Sequence, residues 1–363
     1  MSFLDIFKRK DESIKSYKDF WDWFIKNEKQ FFKVIKGNGD IENDFFDKIS
    51  PKLNELKEGF FYLTGMFDSN TVELILTADG NLKNIFFVEQ LVVAAPIING
   101  WKFTALKPPS DIKDVNIKMA GYLFGSNNIY FYSNDHIKYP DEVDITVIHD
   151  DLTDENKADI VNGTFIFLDN FIGELEFVTT IDEIKIIGKK DAQKDLVPIE
   201  KLKSFLIWRE AEFVEKYEGV RYDTENDNYA TFKGKSKDGS VVFAIINTDL
   251  LHWESKASHP WILTVEIKFD GKETNGMPDD KTYKLLDVLE EEISEQLKDS
   301  DGYLNIGRET SENLREIYFA CKDFRKPSDV LHNIQKKYLD ALDLDYHIYK
   351  DKYWQSFNRF MNN

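Results

Sequence analysis

The residues of this chain best suited to ligating metal or attacking a substrate are few: His136, His149, His252, His259, His332, His347 and a single cysteine, Cys321. No two histidines stand at the i, i+4 spacing that sets both on one helix face against a zinc ion, and one cysteine cannot make a Cys-x-x-Cys pair. His149-Asp150-Asp151 is the one local cluster of histidine and carboxylates, and it is the only metal candidate. The pattern around it fits better with a strand end running into a helix N-terminus capped by Asp151 or Thr153. No Gly-x-x-x-x-Gly-Lys-Ser/Thr or Gly-x-Gly-x-x-Gly loop is present, and Gly37-Asn38-Gly39 follows a helix rather than a strand, which argues against phosphate cradling. There is no Gly-x-Ser-x-Gly elbow. Cys321 alternates onto the same side as Phe319 and Ile317 and reads as a buried, inert thiol. The sequence therefore nominates no catalytic residue and implies no cofactor.

One arrangement is sharper. Segments 303–308 and 314–321 have strand character and should pair around Ser311-Glu312. A tight register sets Thr310 opposite Asn313, Arg308 opposite Arg315, Ile306 opposite Ile317 and Leu304 opposite Phe319, with the four apolar residues on one face. Two arginines side by side are unfavourable unless neutralised. Glu309, Glu316 or a helix carboxylate could do this, or an anionic ligand or a partner's acidic side chain held by guanidinium forks. Arg308, Arg315 and Thr310 are therefore candidate anion or partner contacts. Trp253 and Trp261 flank the loop Lys256 to Pro260; Trp253 is a candidate interface aromatic, whereas Trp261 reads as core. Acidic runs such as Asp279-Asp280 and Glu290 to Glu292 read as helix-terminal charge and a solvated helix face.

Periodicity supplies the elements that would position these residues. Helices are expected over 17–36, 41–57, 84–98 (with Pro96 disturbing its last turn), 154–172 and 198–217. Strands are expected over 60–67 and 71–78 as a hairpin, then 101–106, 117–124, 128–133, 143–148, 175–179 and 184–187. The polar stretch 219–228 is the best linker. Beyond it come a hairpin of 229–235 and 241–247 around Lys237-Asp238-Gly239, a strand 261–269, a helix 279–297, strands 303–308 and 314–321, a helix from Pro327 and a strand 345–349. Tyr353, Trp354, Phe357 and Phe360 recur at helical spacing, as in a tail docked on the body.

The whole chain has 363 residues, of which 42% are hydrophobic and 14% aromatic, enough for packed cores. At about 150 residues per domain, the length suggests two to three domains. There are 47 Lys and Arg against 66 Asp and Glu, a net charge of −19, which disfavours a nucleic-acid partner and favours a protein with a basic surface. A lone cysteine gives no sign of an oxidising compartment. The longest apolar run, Leu91 to Ile98, is too short to span a membrane. The N-terminal Phe3, Leu4, Ile6, Phe7 group precedes Lys8-Arg9-Lys10, the reverse of a signal peptide, and reads as a short docking helix or a frayed end. A cytoplasmic location and no membrane contact are expected.

Four segments resemble an uncharacterised bacterial family of domains of unknown function: His259-Pro260-Trp261-Ile262-Leu263, Asn275-Gly276-Met277-Pro278, Gly307-Arg308-Glu309-Thr310 and Arg315-Glu316-Ile317-Tyr318. Ala94-Ala95-Pro96, Asn99-Gly100-Trp101 and Pro108 resemble a segment often found upstream in such proteins, so the resemblance covers about 20–110 and 225–355. In its β-α-β-β-α-β order, acidity and Gly-Met-Pro turn, 260–350 is also similar to the regulator of ribonuclease E activity B, which implies a protein inhibitor rather than an enzyme. The expected fold is α+β: a mixed, sandwich-like α/β N-terminal region over 1–218, itself one or two sub-domains, a linker at 219–228, a ferredoxin-like domain with a preceding hairpin over 229–350, and a helical tail over 351–363. The expected function is a non-enzymatic protein-binding regulator or inhibitor, of nuclease-inhibitor or immunity type. The alternative is a hydrolase-like enzyme, metal-assisted around His149, Asp150 and Asp151.

Overall fold

Ser16 accepts the Asp19 N–H at 3.2 Å and so starts helix α1 (Tyr17–Lys36), whose Phe20, Trp21, Phe24, Phe31 and Ile35 form one buried face. The structure is a computed structural model and describes residues 13–113, 115–235 and 239–361. The N-terminal apolar group and Lys237-Asp238 of the expected turn lie outside the described residues. Helices and strands mix throughout, giving an α+β protein. No helix among the described residues is long and apolar enough to cross a membrane. The chain divides into two compact units, one built from residues up to Ser110 together with Asp169–Leu175, the other from the rest.

In the first unit, α1 is followed by a π turn (Glu42–Phe46) leading into α2 (Asp47–Leu56), then by β1 (Phe61–Met66), β2 (Val72–Thr77), α3 (Leu82–Val93) and β3 (Trp101–Ala105). β1 and β2 form an antiparallel hairpin, and β3 lies parallel to β2, in the order β1-β2-β3. α3 ends at Val93, earlier than the periodicity suggests, because Pro96 pushes the residue before it out of helical geometry. Trp21 and Phe24 pack on Phe103 and Trp101 with ring centroids 4.5 and 4.9 Å apart. Glu174 is fully buried here. Its carboxylate accepts from Thr77 Oγ1 and from the backbone N–H groups of Ala78, Gly80 and Lys107.

The second unit opens with a short hairpin, β4 (Ile117–Met119) and β5 (Tyr122–Phe124), in place of one strand over 117–124. Ala120 and Gly121 both have positive φ, 50° and 87°, as a tight hairpin turn requires. Then come β6 (Ile129–Asn134), β7 (Asp144–His149), α4 (Lys157–Ile172), α5 (Glu174–Thr180), β8 (Glu183–Gly188), β9 (Val197–Pro198) and α6 (Leu202–Tyr217). The sheet order is β8-β7-β6-β9, and every residue of β7 is buried. The expected strand 175–179 is instead α5. The β-branched residues Val178, Thr179 and Thr180 favour a strand, but burial of Glu174 on the backbone donors of Ala78, Gly80 and Lys107 fixes the segment's start and overrides local propensity.

The remaining elements are β10 (Tyr229–Lys235), β11 (Val241–Asn247), α7 (Thr248–His252), β12 (Trp261–Lys268), α8 (Asp280–Gln296), β13 (Tyr303–Ser311), β14 (Leu314–Cys321), α9 (Arg325–Tyr338) and β15 (Asp343–Lys350). They build a six-stranded antiparallel sheet in the order β10-β11-β13-β14-β12-β15. One cluster on this sheet joins Ile262, Leu304, Ile306, Tyr318 and Ala320 to Leu250 and Leu251 of α7 and to Trp354, Phe357 and Phe360 of the C-terminal tail.

The β13–β14 register differs from the expected one. The turn is Glu312-Asn313, at φ 51° and 68°, which pairs Thr310 with Arg315 and Arg308 with Ile317. A register shift between Asn305 and Gly307 marks a bulge there. The extra residue reverses the alternation, so Leu304 and Ile306 join the tail-side cluster with Tyr318 and Ala320 rather than facing Phe319 and Ile317. Gly307 has φ 138°, and a Cβ there would lie 2.2 Å from the Ile245 carbonyl oxygen, so no other residue fits the bulge.

Candidate functional site

The two arginines share one face of the sheet, diagonal to each other rather than directly opposite. Helix α8 meets them. Arg308 Nη1 lies 2.7 Å from Glu290 Oε2 and 3.9 Å from Asp287 Oδ1. Arg315 Nη1 donates to the same Asp287 oxygen at 3.2 Å, and its Nε donates to Thr310 Oγ1 at 3.1 Å. The Arg315 guanidinium also sits 5.1 Å from the Tyr283 ring centre. A helix carboxylate is thus the immediate neutraliser, and the cross-strand Glu309 and Glu316 point to the other side, toward Arg359 and Tyr318.

Neutralisation is uneven. At Arg308 burial works against the charge, but Glu290 outweighs it and raises the pKa above its ordinary value. At Arg315, which is 2% exposed, burial and then the neighbouring Arg308 lower the pKa despite Glu290 and Asp287. Together with Thr310, these arginines line a pocket of about 220 Å³ whose apolar wall includes Phe243, Met277 and Tyr283. The Met277 loop is pinned to the β13–β14 turn: Gly271 N–H donates to Asn313 Oδ1 at 3.1 Å, and Asn313 N–H donates to Gly276 O at 3.0 Å. Asn275 and Gly276 both hold positive φ. The pocket is therefore a preformed concavity with two guanidiniums on one side and apolar surface on the other, chemistry suited to a carboxylate on an apolar body.

Trp253 lies elsewhere. It is half-buried against the tail-side cluster, with ring centroids 5.0 Å from Tyr222, 5.3 Å from His259 and 6.0 Å from Trp354. Trp261 is core, 6% exposed and edge-on to Phe324. His149 is fully buried at the end of β7, and both ring nitrogens are engaged. Its Nδ1 accepts the Asp151 N–H at 3.1 Å, so Nε2 carries the proton and donates to Leu123 O at 3.0 Å. Asp150 pairs with Lys189 at 2.9 Å, and Asp151 is exposed. These three residues do not converge on a common point.

A different group does converge, and no sequence pattern announces it. His136, Glu142 and Asp144 each place one ligand atom within 4.8 Å of the others. Spacings of six and two residues follow no metal-binding motif. The one available signal is an aspartate opening the buried strand β7, with a histidine in the loop before it. Cys321 is 1% exposed, and burial raises its thiol well above the ordinary pKa.

Residues 227–362, which contain the arginine pocket, match the model of a family of unknown function, DUF695. The resemblance to a family of unknown function thus holds for the C-terminal part. No curated protein matches the chain, and no solved structure matches it.

Proposed function

We propose that the chain is a non-enzymatic protein-binding regulator or inhibitor whose C-terminal domain holds an acidic group of its partner between Arg308 and Arg315. The observation that carries this reading is the pair of unevenly neutralised guanidiniums in a preformed pocket of about 220 Å³. A carboxylate arriving there meets charge that Asp287 and Glu290 already share between two arginines, and it gains hydrogen bonds to charged donors. The wider field suits a partner with a basic surface around that acidic group. Residues 1–110 carry 15 Lys and Arg against 16 Asp and Glu, so the negative charge resides almost wholly in 111–363, with 32 against 50. Such a body steers a basic partner and repels nucleic acid.

The β12-α8-β13-β14-α9-β15 order, with strands running 13-14-12-15 across the sheet, supports a ferredoxin-like arrangement which, together with the β10–β11 hairpin ahead of it, makes up the domain 229–350. The family match beginning at residue 227 agrees with a linker at 219–228. The same order supports the likeness to the regulator of ribonuclease E activity B, and with it an inhibitor acting in the cytoplasm. A metal-assisted hydrolase is the second reading, and it would draw on His136, Glu142 and Asp144 rather than on His149.

Affinity capture with the intact chain at low and high salt tests the proposal, with Arg308→Glu as the comparison bait. Arg308 is the more exposed of the pair, so its loss leaves the buried Arg315 contacts in place. One stoichiometric partner, weakened by salt and lost with Arg308→Glu, is the expected result. A partner that binds both baits equally refutes the pocket, and no partner at either salt refutes the function.

A further inference from the structure

We propose that His136, Glu142 and Asp144 form a binding site for a divalent transition-metal cation of the zinc type. Their ligand atoms lie within 4.8 Å of one another, and His136 Nε2 is 2.6 Å from Asp144 Oδ2. Tetrahedral zinc with ligand bonds of about 2.1 Å holds its donors about 3.4 Å apart, so small adjustments of His136 and Glu142 complete the geometry. The fold makes those adjustments easy in the right places. Asp144 is 5% exposed and fixed in the ladder of β7 between Asn134 and Glu183. His136 stands on the exposed loop before it, and the Glu142 N–H is held by Tyr139 O at 3.1 Å. Gln355 Nε2 donates to Glu142 Oε1 at 2.8 Å, orienting the carboxylate from outside as second partners of metal ligands do.

The charge arrangement points the same way. Three lysines are committed to other carboxylates: Lys350 and Lys352 hold Asp182 at 2.9 and 2.8 Å, and Lys216 holds Asp141 at 2.8 Å. Among the described residues no lysine or arginine forms an ion pair with the side chain of Glu142 or Asp144, and His136 is the group that pairs with Asp144 directly. One imidazole nitrogen and two carboxylate oxygens suit zinc, manganese or iron, whereas magnesium prefers oxygen alone and keeps its waters. Three protein ligands leave a fourth position open to water or a ligand.

The test is calorimetric titration of the chelator-stripped full chain with zinc chloride, and separately with magnesium chloride. His136→Asn and Glu142→Gln are the site variants, and His252→Asn controls for zinc held by an exposed histidine elsewhere. One equivalent of zinc is expected, with magnesium far weaker. Affinity should fall at least about tenfold in each site variant and hold in His252→Asn. A zinc-dependent rise in melting temperature, reversed by chelator, provides a second readout on the wild-type chain alone. Absence of zinc binding by the wild type, or equal affinity in His136→Asn and Glu142→Gln, overturns the proposal.

Discussion

Acidification should destabilise this protein through one residue, His259. The side chain is 2% exposed. Ser258 Oγ donates to Ser255 O at 2.6 Å, so it accepts from His259 Nδ1–H at 2.8 Å. That leaves Nε2 as a bare acceptor with no partner among the described residues. Protonation would add an N–H with nothing to receive it, in a site that already faces Lys322 and Arg221. Burial first, and those two cations after it, lower the pKa from its ordinary 6.5 to about 4. A depressed histidine pKa contributes stability that is present above the unfolded value and is lost as pH falls from about 6.5 toward about 4. At about 1.36 kcal/mol per pH unit, the contribution lost is about 3 kcal/mol. Urea unfolding followed by tryptophan fluorescence, at steps from about pH 7.5 to about pH 4, measures it against His259→Phe, which cannot titrate. Carboxylates common to both chains cancel in the difference. The wild type should lose about 3 kcal/mol more than the variant across this window. A difference that stays flat would refute the assignment of a buried, unpartnered imidazole.

Other single side chains carry further expected outcomes. Glu174→Ala leaves three backbone donors and a hydroxyl without their acceptor, and should cost about 3 kcal/mol or more, read from thermal melts of the full chain. Gly307→Ala drives a methyl into the Ile245 carbonyl, and a loss of about 3 kcal/mol is expected in urea unfolding; a neutral result would contradict the bulge. Asn313→Val both strains a residue at φ 68° and removes the acceptor for Gly271 N–H, for about 2 kcal/mol in the same assay. Cys321 should resist a thiol reagent in the native state and react once urea exposes it, since burial raises its pKa and denies access.

Elements with strong periodicity are legible from the sequence. α1 matches its expected bounds, and the β-α-β-β-α-β order of the C-terminal part agrees with the spacing of apolar residues and turn signals. Side-chain partners are less so. A helix carboxylate neutralising Arg308 and Arg315 is within reach of sequence reasoning, but the register is not. Its turn is set by hydrogen bonds between the Gly271 and Gly276 loop and Asn313, which lies 42 residues from Gly271 and beyond any local rule. The bulge does leave a trace, a glycine inside a strand. α5 defies its β-branched residues because a buried carboxylate fixes its start, and the donors it binds come from residues 77–107, far back along the chain. His136, Glu142 and Asp144 escape for the reason that active groups usually do: a loop and a strand end bring them together, and no spacing encodes that meeting.

The tail gives the C-terminal sheet a particular order of assembly. Trp354 and Phe357 are each 1% exposed and seal Leu304, Ile306, Tyr318 and Leu250 from water. A nascent chain can lay down all six strands and still present that face bare until residues 354–360 have left the ribosome. Completion of this domain is thus deferred past its last strand. A chain clipped ahead of Trp354 carries an open apolar sheet, the kind of surface that chaperones and proteases take as a sign of an unfinished protein.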